Sequence, residues 1–209
     1  MAMLGGTFDP VHLGHLRSAV ELHEALALDR VHLIPANMPP HREDPGVSSE
    51  QRLTMLKVGI GDTPGLVADD RELRRDGPSY SSDTLASLRE VFGTQARIVM
   101  AIGHDAFLKL DSWHQPERLF ELAHVVVIER PDHQDSLPAA LRSLIEKREV
   151  ATPQALFTAP AGGLLRLSLP SRMAISATDI RHRLASGRSV RYLLPDAVER
   201  HIQTHGLYR

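Results

Sequence analysis

Short apolar runs alternate along the chain with stretches that have the spacing of amphipathic helices. The runs predict strands at residues 2–4, 31–34, 66–68, 98–102 and 125–128, and a late strand at 165–169. Because nearly every position within a run is apolar, we expect strands that are buried on both faces, as in a parallel sheet. The intervening stretches predict helices at residues 14–27, 50–60, 81–92, 104–110, 115–122 and 136–147.

The order of these elements predicts the fold class. Strands that alternate with helices are typical of an α/β protein with a doubly wound, Rossmann-like parallel sheet. The end of the chain instead predicts two helices, at residues 176–185 and 195–205. Ser176 and Asp179 have the spacing of a capping box at the first of them, and Gly206 follows the second. We therefore expect a single domain, residues 1–209, with a C-terminal helical subregion at 170–209.

Composition and charge exclude several classes of function. The chain has 24 Lys and Arg against 26 Asp and Glu, a net charge of -2, so a basic face for nucleic acid is not expected. It contains no Cys, which excludes disulfides, thiolate metal sites and cysteine nucleophiles. The apolar runs are too short to span a membrane, and the N-terminus lacks the features of a signal peptide. These features predict a cytoplasmic protein with no membrane partner.

A glycine-rich segment with two histidines, GGTFDPVHLGH at residues 5–15, lies where the first strand passes into the first helix. Gly5 and Gly6 allow a ligand to approach the backbone closely, and the amides of a helix N-terminus favour an anion. His12 and His15 can each donate an N–H to that anion, and an adjacent phosphate would raise the pKa of either ring. No third ligand follows at a recognisable spacing, so a zinc site is not indicated.

This segment resembles the signature of the nucleotidylyltransferases, a Gly-rich turn followed by His-x-Gly-His. The resemblance implies that His12 and His15 contact the phosphates of ATP and stabilise the transition state. A second stretch, ISATDIR at residues 175–181, resembles the Ile-Ser-x-Thr-x-x-Arg element of the same family. Thr178 and Arg181 lie three apart in the first turn of a predicted helix, where a hydroxyl, a guanidinium and backbone amides would converge on phosphates. The subregion at 170–209 is therefore expected to bind phosphate.

Four further stretches resemble nicotinate-nucleotide adenylyltransferases of the bacterial type. They are PANMPPH at 35–41, SYSSDTL at 79–85, IGHD at 102–105 with the following Trp113, and VRYLLP at 190–195 with HGLY at 205–208. The resemblance implies ATP binding by Gly5, Gly6, Thr7, Phe8, His12, His15, Gly103, Asp105, Ser176, Thr178 and Arg181. It implies binding of the mononucleotide by Asn37, His41, Tyr80, Asp83, Thr84 and Trp113.

The implied reaction is direct attack of a phosphate oxygen of nicotinate mononucleotide on the α-phosphorus of ATP, with Mg²⁺ arriving on the nucleotide. The products are deamido-NAD and pyrophosphate. Nicotinamide mononucleotide and pantetheine phosphate remain alternative acceptors, and a cytidylyltransferase is a further alternative. A nucleotide-sensing module without turnover and a tRNA-ligating enzyme represent other classes. The intact histidine motif opposes the sensor, while the chain length and charge oppose the tRNA enzyme.

Overall fold

A seven-stranded sheet forms the frame of the protein in the computed structural model, which describes residues 1–37, 47–129, 137–171 and 173–209. The strands lie in the order β3-β2-β1-β4-β5-β7-β6. Their bounds are β1 Ala2–Gly6, β2 Val31–Pro35, β3 Leu66–Ala68, β4 Val99–Gly103, β5 His124–Ile128, β6 Glu149–Val150 and β7 Leu164–Leu167. The pairs β1–β4, β2–β3, β4–β5, β5–β7 and β6–β7 are parallel. The predicted fold class is confirmed.

Nine α-helices accompany the strands within the described part of the chain. They are α1 Leu13–Ala25, α2 Ser49–Ile60, α3 Ser81–Phe92, α4 His104–Phe107, α5 Pro116–Leu122, α6 Ala139–Ile145, α7 Pro153–Leu156, α8 Ala177–Ala185 and α9 Asp196–His205. The sequence pattern did not predict the two-residue strand β6 or the one-turn helix α7. The helix predicted at 104–110 divides into α4 and a 3₁₀ turn at Leu110–Ser112. Such short elements carry too few residues to establish a period.

The chain divides into two compact units. Unit 1 comprises Met1–Gly5 and Tyr80–Pro170, and its central strands β4 and β5 are buried, with Val125 to Val127 fully enclosed. Unit 2 comprises Gly6–Ser79 and Ser171–Arg209, and α2 packs against α9 within it. The prediction of one domain stays a prediction. No helix among the described residues is long and apolar enough to cross a membrane.

One local prediction at the start of α8 is wrong. Ser176 is the N-cap residue, but its side chain makes no capping hydrogen bond to a described residue. Asp179, the expected partner, instead accepts a hydrogen bond of 2.8 Å from Nε of Arg183, four residues further along the same helix. A carboxylate that pairs with a guanidinium one turn further along the helix is not turned back to the amide of the N-cap residue. The helix therefore begins without the predicted capping box.

Candidate active site

The two motif histidines cap the N-terminus of α1 reciprocally. The backbone N–H of His15 donates to Nδ1 of His12 at 3.3 Å, and the backbone N–H of His12 donates to Nδ1 of His15 at 3.4 Å. The rings stack with their centroids 3.6 Å apart. A Cβ on Gly14 would lie only 3.1 Å from Nδ1 of His12, so glycine lets the His12 ring fold back over the helix end. This contact explains the glycine of the His-x-Gly-His motif.

The reciprocal cap fixes which nitrogen of each ring accepts a hydrogen bond, namely Nδ1. A ring nitrogen that accepts a hydrogen bond carries no proton, so a neutral imidazole in this position holds its proton on Nε2. Burial lowers the pKa of His12 from 6.5 to about 4, because the charged ring would lose its hydration. In the absence of a bound phosphate, His12 is therefore neutral at pH 7. The neutral His12 ring then carries its N–H at Nε2.

The loop before α1 is packed against itself. A Cβ on Gly6 would lie 3.1 Å from the ring of Phe8, which is buried and meets the His15 ring edge-on at 5.0 Å. Any larger residue at position 6 would therefore require the Phe8 ring to shift. Gly5 has only one ordinary contact, 3.8 Å from the side chain of Met3. The role of Gly5, Gly6 and Thr7 in binding ATP stays a prediction.

The second phosphate motif lies beside the first one within unit 2. Ile175, immediately before the N-cap of α8, has its Cβ 3.5 Å from where a Gly14 Cβ would be. Arg181 donates from Nη1 to the backbone oxygen of Asp9 at 2.7 Å, and from Nη2 to Oγ1 of Thr178 at 3.4 Å. The N-terminus of α8 and the start of α1 are therefore neighbours. The structure brings His12, His15, Thr178 and Arg181 into one region, as the two motifs predict.

Glu21 joins the same two segments and was not predicted. It is a buried residue of α1 that accepts the backbone N–H of Ser171 at both carboxylate oxygens, at 3.0 and 3.2 Å. Nε of Arg17 donates to it at 2.7 Å. These hydrogen bonds hold the pKa of Glu21 below its usual range although burial opposes them. Glu21 thereby fixes the segment that leads to α8 against α1.

Arg52 is a second residue that the sequence analysis missed. Its side chain is almost completely buried, and Nη1 donates to the backbone oxygen of Thr7 at 2.8 Å. Nη2 lies 3.5 Å from the backbone oxygen of Asn37, so one guanidinium links the loops that follow β1 and β2. A signal was available, since Arg52 shares the helical spacing of the buried Met55 and Leu56. An arginine in an apolar register indicates a buried charged group with a structural task.

Asn37, a predicted ligand of the mononucleotide, is held by its neighbours in unit 2. Its backbone N–H donates to Oγ of Ser79 at 2.9 Å, and its side-chain Nδ2 donates to the backbone oxygen of Arg75 at 3.3 Å. His41, predicted to act with it, lies outside the described residues. The binding roles of both residues stay predictions.

The remaining predicted residues belong to unit 1. Gly103 ends β4 and is the N-cap of α4, and Asp105 is an exposed residue in the first turn of that helix. The carboxylate therefore follows the carboxyl end of a buried parallel strand, where ligands bind in such sheets. Trp113 is half-buried and follows the 3₁₀ turn. The adjacent His114 stacks on the ring of Tyr80 with a centroid distance of 4.2 Å.

Helix α3 begins directly after Tyr80, which caps it without a side-chain hydrogen bond to a described residue. The amides of Asp83 and Thr84 donate to the Tyr80 backbone oxygen, whereas Ser81 and Ser82 occupy the two preceding positions of the first turn. Asp83 is exposed. Thr84 is fully buried, and its hydroxyl donates to the Tyr80 oxygen at 3.2 Å. The amides of the first turn are therefore the groups best placed to receive an anion here.

Comparisons of the sequence with known proteins show the family to which the chain belongs. A family model described as cytidylyltransferase-like matches residues 3–183. A protein of Chromohalobacter salexigens named probable nicotinate-nucleotide adenylyltransferase is 66% identical over 208 residues, covering 100% of this chain and 95% of that protein. A Pseudomonas aeruginosa protein of the same name is 48% identical over 209 residues, covering 100% and 97%.

A comparison of structures shows the same fold. The chain is similar to the Plasmodium falciparum nicotinic acid mononucleotide adenylyltransferase complexed with NaAD, with a TM-score of 0.74 and 15% identity. The match covers 99% of this chain and 96% of that one. The fold, the family model and the full-length relatives agree. The chain therefore belongs to the cytidylyltransferase-like family and, within it, to the nicotinate-nucleotide adenylyltransferases.

Proposed function

We propose that this protein transfers the AMP group of ATP to nicotinate mononucleotide, which yields deamido-NAD and pyrophosphate. The observation that carries the proposal is the stacked pair of His12 and His15 at the start of α1, in which Nδ1 of each ring accepts a backbone N–H and a neutral ring holds its proton on Nε2. Thr178 and Arg181, beside them in unit 2, are groups suited to phosphate. The names of the full-length relatives support the same reaction.

The chemistry requires positioning and charge stabilisation rather than a covalent intermediate. A phosphate oxygen of the mononucleotide forms a bond to the α-phosphorus, while the bond from that phosphorus to the bridging oxygen breaks. The electron pair of the broken bond leaves with pyrophosphate. Negative charge grows on the α-phosphoryl oxygens and on the leaving group. Neutral Nε2–H donors that are already oriented can stabilise this charge without reorganising during the step.

We assign the leaving pyrophosphate to the N-terminus of α8. Its first-turn amides point along the helix axis toward an anion, and the absence of a capping bond from Ser176 to a described residue leaves those amides for a ligand. Arg181 contributes a positive charge, and Thr178 a hydroxyl. Mg²⁺ would enter as a part of the ATP substrate and would neutralise part of the charge of its phosphates. The described residues contain no cluster of three or more His, Asp or Glu side chains that could hold a metal ion.

We assign the nicotinate carboxylate to the first turn of α3. Backbone amides are donors only and match a carboxylate, which is an acceptor only. The amide group of nicotinamide would present its own NH₂ to those donors, and it lacks the charge that the helix dipole favours. Trp113 would stack on the pyridinium ring. Asp105, in the first turn of α4, would accept hydrogen bonds from ribose hydroxyls. The cytoplasmic location stays a prediction.

The test is pyrophosphate release from ATP with a panel of acceptors. We expect turnover with nicotinate mononucleotide at a kcat/KM roughly tenfold to several thousandfold above that for nicotinamide mononucleotide, since two unmatched buried donors cost about 1–3 kcal/mol each before compensation by water. Pantetheine phosphate should give no turnover. Equal values for the acid and the amide would contradict the carboxylate assignment. Binding of ATP without turnover of any acceptor would favour a sensor instead.

A further inference from the structure

The penultimate residue of the chain reaches back to the loop that carries the first motif. The hydroxyl of Tyr208 donates to Oδ1 of Asp9, a buried carboxylate three residues before His12. The other carboxylate oxygen, Oδ2, lies 3.7 Å from Nη1 of Arg181, which is beyond a direct hydrogen bond. Arg181 instead places that nitrogen 2.7 Å from the backbone oxygen of Asp9. Tyr208 and Arg181 thus approach the same carboxylate from its two oxygens.

The backbone at the chain end is shaped to make this contact. Helix α9 ends at Gly206, whose left-handed conformation, with φ 62°, turns the chain, and the N–H of Leu207 returns to the oxygen of Ile202. Tyr208 itself has φ 61°, which is uncommon for a bulky residue and carries an energetic cost. The surrounding contacts must offset this cost. The hydroxyl bond to Asp9 is the polar contact by which Tyr208 is anchored.

The charges around Asp9 favour a protonated Tyr208. Burial, the hydrogen bond to Asp9 and the negative charge of that carboxylate all raise the pKa of Tyr208, whereas Arg181 and Arg52 act in the opposite direction. Tyr208 is therefore a permanent donor at neutral pH. Its O–H donates to one of the two carboxylate oxygens of Asp9. Without this donor, the carboxylate would attract a charged donor from its surroundings. Among the described residues, Arg181 is a cation that could take that place, because its Nη1 lies 3.7 Å from Oδ2 of Asp9.

We propose that Tyr208 is a positioning residue that keeps Arg181 available for the pyrophosphate part of ATP. By donating to Asp9, the hydroxyl prevents the carboxylate from closing a tight ion pair with Arg181. The guanidinium then stays on the backbone oxygen of Asp9 and beside Thr178, with its remaining N–H groups oriented for phosphate. This inference rests on the assignment of Arg181 to ATP in the proposed function.

The Tyr208→Phe variant tests this role with the loss of one oxygen atom. Without the hydroxyl, Asp9 should capture Arg181, so ATP must compete with an internal ion pair. If the ATP-competent arrangement falls to about one tenth of the population, the apparent dissociation constant for ATP rises about tenfold. We expect this rise in calorimetric titration with ATP, and in KM for ATP. The KM for nicotinate mononucleotide should change less than about twofold.

Two further variants separate positioning from a general structural effect. Tyr192→Phe is the matched control, since Tyr192 also has a left-handed backbone, with φ 63°, but its side chain is exposed. It should bind ATP as the wild type does. In an Asp9→Asn background no carboxylate competes for Arg181, so adding Tyr208→Phe should change ATP affinity less than about twofold. A merely structural Tyr208 would show the same loss in both backgrounds.

Several results would overturn the inference. They are unchanged ATP affinity in Tyr208→Phe, an equal loss for both substrates, or an undiminished loss in the Asp9→Asn background. Because calorimetry reports ATP binding without turnover, a wild type that binds ATP but fails to adenylylate the mononucleotide would contradict the proposed function alone.

If Tyr208→Phe does not fold, carbon-13 NMR of the tyrosine rings in the wild type replaces it. Tyr208 should stay protonated at pH 11, above the ordinary tyrosine pKa of about 10, and ionisation at that ordinary pKa would contradict its bond to Asp9.

Discussion

Replacing His15 separates its two tasks, capping α1 and stabilising the transition state. In His15→Ala the backbone N–H of His12 loses the Nδ1 acceptor at 3.4 Å, and the stacked partner of the His12 ring disappears. Loss of one capping hydrogen bond should lower the free energy of unfolding by about 1 kcal/mol. Loss of the Nε2–H donor should raise the reaction barrier by about 2–4 kcal/mol. The second change corresponds to a fall in kcat of roughly a hundredfold or more.

A matched variant removes the donor and keeps the cap. Glutamate is a usual partner at the third position of a capping box, so the carboxylate of His15→Glu can accept from the His12 N–H and has no N–H of its own. It should recover most of the lost stability, while kcat stays at least about a hundredfold below that of the wild type. His182→Ala, which removes an exposed histidine of α8, serves as the control and should retain normal kcat.

The assays are chemical denaturation for stability, single-turnover kinetics for the chemical step and calorimetry for ATP affinity. ATP binding should weaken far less than kcat in His15→Ala, because the donor acts mainly on charge that develops in the transition state. Near-normal kcat in His15→Ala would refute the catalytic assignment. Recovery of kcat together with stability in His15→Glu would show that His15 acts only as a cap.

Three further predictions concern single residues. Folding lowers the pKa of His12 from 6.5 to about 4. Because the unfolded chain binds a proton at this ring more readily, the free energy of unfolding should fall by up to about 3 kcal/mol as the pH falls from 6.5 toward 4. Denaturation across this range should show a shallower pH dependence for His12→Asn, which keeps an N-cap but does not titrate. Arg181→Ala should raise KM for ATP. Arg181→Lys should lower that KM only slightly again, because lysine lacks the bidentate guanidinium. A rise in KM for the mononucleotide alone would show that Arg181 belongs to the mononucleotide site and not to the ATP site. Trp113→Ala should weaken the binding of nicotinate mononucleotide and of nicotinamide mononucleotide to the same extent. A changed ratio of their kcat/KM values would contradict the assignment of Trp113 as a residue that only stacks on the pyridinium ring.

The local features of the fold were predictable from the sequence, whereas the long-range pairs were not. Apolar runs and helical spacing reveal buried strands and amphipathic helices because those periods are properties of neighbouring residues. The two motifs at residues 5–15 and 175–181 could be recognised for the same reason, because each lies within one strand-to-helix or loop-to-helix segment, and their phosphate-binding role stays a prediction. The prediction of a capping box at Ser176 was wrong because Asp179 has two possible local partners, the backbone N–H of Ser176 and the side chain of Arg183. The sequence pattern does not show that Arg183 is the one that Asp179 binds.

The supporting contacts of the site join residues far apart in the chain. Glu21 binds Ser171 across 150 positions, and Tyr208 binds Asp9 across 199. No spacing rule relates such residues, since only the folded chain brings them together. Arg52 is intermediate: its apolar register predicts burial, but its acceptors on Thr7 and Asn37 follow only from the structure.

The fate of the α-phosphate of ATP tests the central claim most directly. The wild-type protein is incubated with nicotinate mononucleotide, Mg²⁺ and ATP labelled at the α-phosphorus. The products are separated, the label in each is measured, and the mass of each is determined by mass spectrometry. We predict that the label appears in a compound with the mass of deamido-NAD, with one pyrophosphate released for each molecule formed. Transfer should fall at least about a hundredfold in His15→Ala. Label that remains in ATP, or that is released as AMP whether or not the mononucleotide is present, would contradict the account.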